Sequence, residues 1–365
     1  LCDAERITTF EKLTSNTMPI LCNYYLTYRC NAECGFCDIW QKPSPFVKVN
    51  EVETNLRDLK RLGVKFIDFT GGEPLLHRDL PEILAIAKHM GFVTSVTTNT
   101  LLYPKYATAL AGKIDLLHFS LDSAYKEMHD QSRGVRCFDK VLESIEVAKS
   151  LGEYPDIIFT VQASNYQELP VVYETISRPN NLMLILNPIF QYGAFFSAKQ
   201  TEAMFEYVLQ FSKKRLVYMN AAFIALRRDG GNRIKKPVCK AVSEVVVISP
   251  SNEMILPCYH AGYKKLPIDN RLFELRKSPL IKEEMKLEGR HAFCEGCTVN
   301  CYFEPSFATH FSKYFWIALP SKTRYIYHKL FPQGLLWRYI KGRFQSKFGQ
   351  KRFQRKEVHS ASAPI

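Results

Sequence analysis

Eight of the eleven cysteines fall into two groups, and the first reads Arg29-Cys30-Asn31-Ala32-Glu33-Cys34-Gly35-Phe36-Cys37. Three thiolates within eight residues can hold three corners of an iron-sulfur cubane and leave its fourth iron without a protein ligand. An open iron is a site for chemistry rather than storage. A zinc knuckle is the competing reading, but structural zinc wants a fourth ligand close by, and neither Asp38 nor Cys22 has the usual spacing. The second group is Cys239, Cys258, Cys294, Cys297 and Cys301, able to give four thiolates to a further cluster or to a structural zinc. Eleven cysteines in 365 residues are too few for a disulfide-dense secreted scaffold and too clustered for incidental core thiols, which points to metal ligation in a reducing compartment.

Other polar residues recur at regular places. Thr70-Gly71-Gly72-Glu73-Pro74 pairs two glycines, which let the backbone approach a ligand and offer N–H and C=O groups to an ammonium, with a carboxylate that adds charge complementarity. Thr97-Thr98-Asn99 and Ser120-Leu121-Asp122-Ser123 each close an apolar run, and Gln162 and Asn165 follow a third; a turn or cap is the competing reading for each. His77 reads as a helix-entry residue and His118 as a sheet histidine, so neither is taken as catalytic.

These residues need elements that gather them. From Ile20 to Pro188 short β-branched runs alternate with amphipathic stretches, which predicts six βα units and a parallel sheet. The strands are expected at Ile20–Thr27, Val64–Thr70, Phe92–Thr97, Asp115–Leu121, Asp156–Val161 and Leu182–Leu186. Helices are expected near Glu51–Leu62, Asp79–Met90, Tyr103–Ala111, Phe138–Leu151, Tyr166–Ser177 and Thr201–Arg215. In such a sheet the candidate residues stand at the carboxyl ends of strands, the ligand face. Beyond a basic connector, Arg227–Pro237, short strands at Glu244–Ile248 and Glu253–Leu256 precede the late cysteines. The expected division is an N-terminal extension (1–18), a barrel with connector (19–235), a cysteine module (236–304) and a tail (305–365).

A content of 46% hydrophobic and 23% charged residues excludes a disordered or fibrous chain. No apolar run reaches about eighteen residues, so any membrane association is expected to be peripheral. Pro305 to Lys356 contains twelve Lys or Arg, no Asp or Glu, and thirteen aromatics, against a net charge of +13 for the whole chain. A nearly neutral body with a basic, aromatic, helical tail fits an amphipathic contact with anionic lipid better than nucleic-acid binding; a tail that simply covers the barrel is the third reading.

The spacing C-x3-C-x-aromatic-C with the Gly-Gly-Glu-Pro motif resembles the radical S-adenosylmethionine (SAM) superfamily, and Cys239, Cys258, Cys294 and Cys297 resemble its SPASM/twitch auxiliary-cluster extension, with Cys301 an alternative to Cys297 or a free thiol. The resemblance implies a partial (β/α)6 TIM-like α/β barrel, followed by a small cluster-binding module. It implies that Cys30, Cys34 and Cys37 hold a catalytic 4Fe-4S cluster, that a second auxiliary 4Fe-4S cluster is present, and that SAM is cleaved to a 5′-deoxyadenosyl radical. Phe36, Gly71, Gly72, Glu73, Pro74, Asn99, Ser120 and Asp122 become expected contacts of SAM or substrate. The late segment Cys294-Glu-Gly-Cys297-Thr-Val-Asn-Cys301-Tyr-Phe-Glu304-Pro305 also looks like a short stretch of the hopanoid-biosynthesis radical enzymes. Glu253 stands where the long auxiliary form has glycine, and its seven cysteines are not all present. The expectation is a cytoplasmic enzyme at the inner face of a membrane, served by a flavodoxin or ferredoxin type electron donor. Its expected substrate is a bulky hydrophobic lipid or isoprenoid, with tetrapyrroles and peptides as alternatives and a tethered iron-sulfur or zinc binding protein as the non-enzymatic one.

Overall fold

The computed structural model describes residues 18–189 and 198–331. Its order is β1 (Leu21–Thr27), α1 (Val49–Arg61), β2 (Phe66–Gly71), α2 (Leu80–His89), β3 (Val93–Thr98), α3 (Tyr103–Leu110), β4 (Leu116–Ser120), α4 (Lys126–Arg133), α5 (Phe138–Ser150), β5 (Asp156–Val161), α6 (Leu169–Val172) and β6 (Leu184–Pro188). Then come α7 (Ala198–Phe211), β7 (Val217–Tyr218), α8 (Ala221–Arg228), α9 (Ala241–Glu244), β8 (Val245–Ile248), β9 (Glu253–Leu256), β10 (Lys264–Pro267), α10 (Leu272–Lys277), α11 (Pro279–Leu287), α12 (Asn300–Thr309) and α13 (Lys313–Tyr325).

One sheet runs in the order β10-β9-β8-β1-β2-β3-β4-β5-β6-β7, and β8 through β7 are all parallel neighbours. The arrangement is an open α/β barrel. Six expected strands are present, and the parallel ladder extends past them at both ends: β7 adds to β6, and β8 adds to β1 in register Leu21↔Val245. The late strands therefore continue the barrel's own sheet. β7 is two residues long and α4 is strongly polar, which is why neither announces itself by periodicity.

Alternation along β2 to β6 separates two faces. Ile67, Phe69, Val96, Leu117, Phe119, Ile157 and Leu184 are fully or almost fully buried in one cluster with α1, α2, α3 and α5. The opposite face carries Asp68, Thr70, Ser95, Thr97, His118, Thr160 and Asn187, all half-buried, so the barrel interior is an open and predominantly polar lumen. Under β1 and β8 the interior is instead filled by Tyr25, Val245, Val247, Ile255 and Tyr302.

Across the gap between β7 and β8 lie α12 and α13. Asn300 donates to Asn187 Oδ1 at 2.6 Å, Tyr218 donates to Glu304 at 3.2 Å, and Tyr325 donates to Asp156 at 2.8 Å. The described part of the basic tail departs from the expected lipid-facing pattern. Lys313 pairs with Asp229, Lys322 with Glu304 and Lys329 with Asp156, while Arg324 donates to the Ser212 carbonyl. All four Lys and Arg side chains between 305 and 331 thus have partners on the body, three of them carboxylates and one a backbone carbonyl. The outward stripe is apolar, with Trp316, Leu319, Tyr327 and Phe331 exposed. No helix among the described residues is long and apolar enough to cross a membrane. The rest of the tail, 332–365, and the extension 1–17 lie outside the described residues.

Candidate active site and second thiolate site

Cys30, Cys34 and Cys37 occupy the loop that leaves the carboxyl end of β1, with Cys30 and Cys34 half-buried and Cys37 exposed. Two neighbours fix that loop. On one side the glycine pair presses against its root: a Cβ on Gly71, at φ 143°, would sit 2.0 Å from the Thr27 carbonyl oxygen, and one on Gly72 would sit 2.2 Å from that of Arg29. Gly72 N–H donates to Thr27 O and Glu73 N–H to Arg29 O, both at 2.9 Å. The glycines therefore act first as the seat of the cysteine loop, and these two N–H groups are engaged by it rather than offered to a ligand. On the other side the end of α4 accepts from the loop, Glu33 N–H to Arg133 O at 3.0 Å and Gly35 N–H to Ser132 O at 3.3 Å.

Glu73 is 1% exposed and accepts from Leu75 N–H at 3.0 Å, Thr98 Oγ1 at 2.8 Å and Asn99 N–H at 2.8 Å. Burial pushes its carboxyl up to about 7, against these three donors. Its geometry is that of a brace between β2 and β3. Pro74 opens the short turn that follows and is buried. Asn99, at the end of β3, donates to Asn31 Oδ1 at 2.7 Å and lies 3.9 Å from Cys30 Sγ.

Ser120, buried at the end of β4, lies one strand from Asn99. Asp122 forms an ion pair with Arg133 at 2.6 Å and accepts from Thr160 N–H at 2.8 Å. Arg133 in turn lies 3.9 Å from Cys34 Sγ and 5.4 Å over the Phe36 ring. Cys34, Phe36, Arg133 and Asp122 thus form one chain of contacts. Arg133 is the residue that pattern reading missed, since it lies on a helix with no apolar periodicity. Asn165 supports the arrangement by donating to Asp122 O and Thr160 O, both at 3.0 Å.

Beside it, His129 Nδ1 accepts from Asp122 N–H at 3.1 Å, so its proton sits on Nε2, 3.3 Å from Cys137 Sγ. Asp130 accepts from Cys137 N–H and Phe138 N–H, both at 2.8 Å, and starts α5. His129, Asp130 and Cys137 can be grouped as metal-type ligands, but these bonds give each a structural partner. His77 and His118 stay outside the thiol loop: His77 bonds Val47 O at 2.8 Å, and His118 lies 3.7 Å from Asp156.

The donor set fits a cation-bound cluster. Burial raises the Cys30 thiol to about 11, so this sulfur keeps its proton at neutral pH unless a metal replaces it. Asn99 and Arg133 present N–H groups toward two of the three sulfurs, as suits metal-bound thiolate.

Cys239, Cys258, Cys294 and Cys297 line one apolar cavity under Tyr302 and Phe303, and Cys301 is not among its lining residues. Burial raises Cys258 to about 12 and Cys294 to about 11. Asn232, fully buried, ties the site together: Nδ2 donates to Gly289 O at 2.8 Å and Cys294 O at 3.1 Å, while Oδ1 accepts from Val238 N–H at 3.1 Å and Cys239 N–H at 3.4 Å. Its backbone bonds Cys297 O and Gly296 N–H. Asn232 follows Gly230 and Gly231 in the connector and carried no sequence signal beyond that turn. Four thiols around one apolar cavity suit a fully ligated cluster or zinc. Cys301, in the first turn of α12, lies in electrostatic reach of Asp68 and Tyr25 on the lumen side.

Residues 24–176 match the model of the radical SAM superfamily. A probable GTP 3′,8-cyclase of Saccharolobus islandicus is 34% identical over 163 residues, covering 43% of this chain and 52% of that protein. An Fe-coproporphyrin III synthase of Methanosarcina barkeri is 28% identical over 157 residues, covering 41% and 39%. The chain spans about half the length of the curated relatives it matches. Among solved structures, Streptococcus suis SuiB bound to its precursor peptide SuiA aligns with a TM-score of 0.59 at 18% identity, covering 81% of this chain and 73% of that one. Native anSMEcpe with bound AdoMet aligns at 0.57 and 14% identity, covering 88% and 99%. These likenesses show a shared fold. Thiol loop, open barrel and sequence match agree on one likeness: residues 24–176 are similar to the radical SAM superfamily.

Proposed function

We propose that Cys30, Cys34 and Cys37 hold an open 4Fe-4S cluster and that SAM binds beside it among Phe36, the glycine pair and the strand ends bearing Asn99, Ser120 and Asp122. When bound, a cluster reduced by an external donor would pass one electron to the sulfonium of SAM, whose S–C5′ bond would break to leave methionine and a 5′-deoxyadenosyl radical for hydrogen abstraction or addition. The protein's part is placement. Gly71 and Gly72 seat the loop, Glu73 braces it through Asn99, and Arg133 orients the Cys34 limb against Asp122. The observation that carries this reading is the thiol loop clamped between the glycine pair and α4.

Cys239, Cys258, Cys294 and Cys297 are proposed to hold the auxiliary cluster within a module of residues 236–304, with a flavodoxin or ferredoxin type protein as electron donor. The exposed stripe on α13 supports peripheral contact with a membrane, and the cations of 338–356 would strengthen it at an anionic surface. A lipid or isoprenoid substrate is compatible only where its polar end reacts, because the lumen wall is polar. A peptide or tetrapyrrole substituent is the second reading, and the same wall favours it.

The test is anaerobic reconstitution followed by reduction with SAM present. Wild type should release 5′-deoxyadenosine, and the triple Cys30/Cys34/Cys37→Ala variant should lose about four irons and all cleavage while the second site keeps its metal. Zinc at the second site in protein purified without oxygen would reject the auxiliary cluster alone. No 5′-deoxyadenosine from fully loaded wild type would reject the enzymatic reading.

A further inference from the structure

Of the acidic side chains in or around the barrel interior, three already have a cation, and Glu73 at the mouth is satisfied by three neutral donors. Asp122 pairs with Arg133, Asp156 with Lys329, and Glu304 with Lys322. Asp68 has none among the described residues. It stands in the middle of β2, next to Asn23 of β1 and Ser95 of β3, and its side chain shares a hydrogen bond with Ser95. Three residues further along the same strand is Gly71, so Asp68 lies about 10 Å below the glycine seat, at about 3.3 Å per residue. Cys301, Tyr25 and Cys22 lie within its electrostatic reach and bring no positive charge.

An uncompensated carboxylate inside a protein is costly unless something supplies the opposite charge, and the lumen around it is open. Hydroxyls and amides from Thr70, Ser95, Thr97 and Asn187 surround the approach. We propose that Asp68 receives an ammonium group of the molecule that enters the lumen, so that the reacting molecule is a polar, amine-bearing compound. The proposal rests on the radical SAM reading for the chemistry at the top of the lumen, and it adds the class of molecule that enters. A carboxylate with an ammonium gives a charge-assisted hydrogen bond, stronger than either partner makes with a neutral group. A neutral isostere at the same place leaves the carboxylate partly desolvated and unpaired.

Ligand-observed NMR on the metal-loaded full chain tests this with two matched pairs of probes, ethanolamine against ethylene glycol and glucosamine against glucose. The amine of each pair should bind at least about tenfold more tightly. Asp68→Asn should bring the two members of each pair to equal affinity, with iron content and melting temperature checked in parallel. Should that variant fail to fold, Cys301→Lys places an internal ammonium within reach of Asp68 and should abolish the amine preference. Equal binding of amine and neutral probes by wild type, or an undiminished preference in either folded variant, would overturn the proposal. Failure of the chemistry shows separately, as missing 5′-deoxyadenosine in wild type, and leaves the amine preference standing.

Discussion

Replacing Asn232 by Ala should dismantle the second thiolate site while sparing the first. The side chain makes four hydrogen bonds at zero exposure, two as donor to carbonyls of the segment containing Gly289 and Cys294, two as acceptor from the segment containing Cys239. Alanine leaves two carbonyls and two N–H groups unpaired in a buried place, each costing about 1–3 kcal/mol. Water entry and relaxation keep the sum near the lower end, about 4 kcal/mol. Since the bonds join the two segments that carry the thiols, this loss falls on the assembled site. If it is fully linked to metal binding, affinity drops by about three decades, one decade per 1.4 kcal/mol. Asn232→Asp keeps the oxygen that accepts from Val238 and Cys239, loses the amide that donates to Gly289 and Cys294, and adds negative charge beside four thiolates, so it should be no better. The assay is metal content by mass spectrometry with the melting temperature of metal-loaded protein, alongside iron at Cys30, Cys34 and Cys37. Full metal occupancy and unchanged melting in Asn232→Ala would refute the claim that this residue holds the site together.

Gly71→Ala should strip iron from the first site, because its Cβ would sit 2.0 Å from the Thr27 carbonyl, whereas Gly112→Ala, with φ 73° and nothing within 4 Å, should keep its iron and show only a modest loss of melting temperature. Arg133→Met should shift the first cluster's reduction midpoint to more negative values in potentiometric EPR titration, since a cation 3.9 Å from Cys34 Sγ is removed, and should cost about 3–5 kcal/mol by leaving Asp122 unpaired. His118 is held neutral by burial with its pKa lowered from 6.5 to about 4; the unfolded chain then binds the extra proton first, so its contribution to stability is full above pH 6.5 and lost as pH falls from 6.5 toward 4. Denaturant melts of His118→Gln should show a flatter profile across that window, by up to about 3 kcal/mol. Trp316→Ser with Tyr327→Ser should weaken sedimentation with vesicles at every salt concentration, because the described cations already face the body and the outward stripe acts through apolar contact.

Much of the barrel was legible because parallel strands buried against helices leave a strong signature. Asp156–Val161 and Glu253–Leu256 coincide with their expected limits, and helix α5 is off by one residue. The thiol loop and Gly71-Gly72 stood out for the same reason: short local patterns record short local geometry. What sequence did not disclose depends on distance in the chain. Arg133 reaches Cys34 from ninety-nine residues away, and Asn232 reaches Cys294 from sixty-two. Neither residue type is rare, and neither sits in a periodic segment. Glu73 was read as ligand-directed charge because its neighbours are; only the bonds to Thr98 and Asn99 disclose the brace. Net charge is silent about placement, as the four described cations of the tail show. Twelve cations without an acid in the segment describe composition, and composition is blind to carboxylates supplied by other elements.

That last point also bears on the lumen. Lys322 and Lys329 come from the segment that reads as a detachable basic tail, yet they neutralise Glu304 and Asp156 at the barrel. Without them the fully buried Asp156 would stand uncompensated, raising the cost of the folded state, and the partly exposed Glu304 would lose its ion pair. The helix α13 and the turn after it are therefore part of the barrel's electrostatics as well as the cover across its open seam. With those acids matched internally and Glu73 satisfied by three neutral donors, Asp68 is left facing the lumen with no counter-charge from a described residue. A wall that balances its other acids and leaves one unmatched beneath the glycine seat discriminates by charge before shape, and the ligand that enters completes the pairing that the fold leaves open.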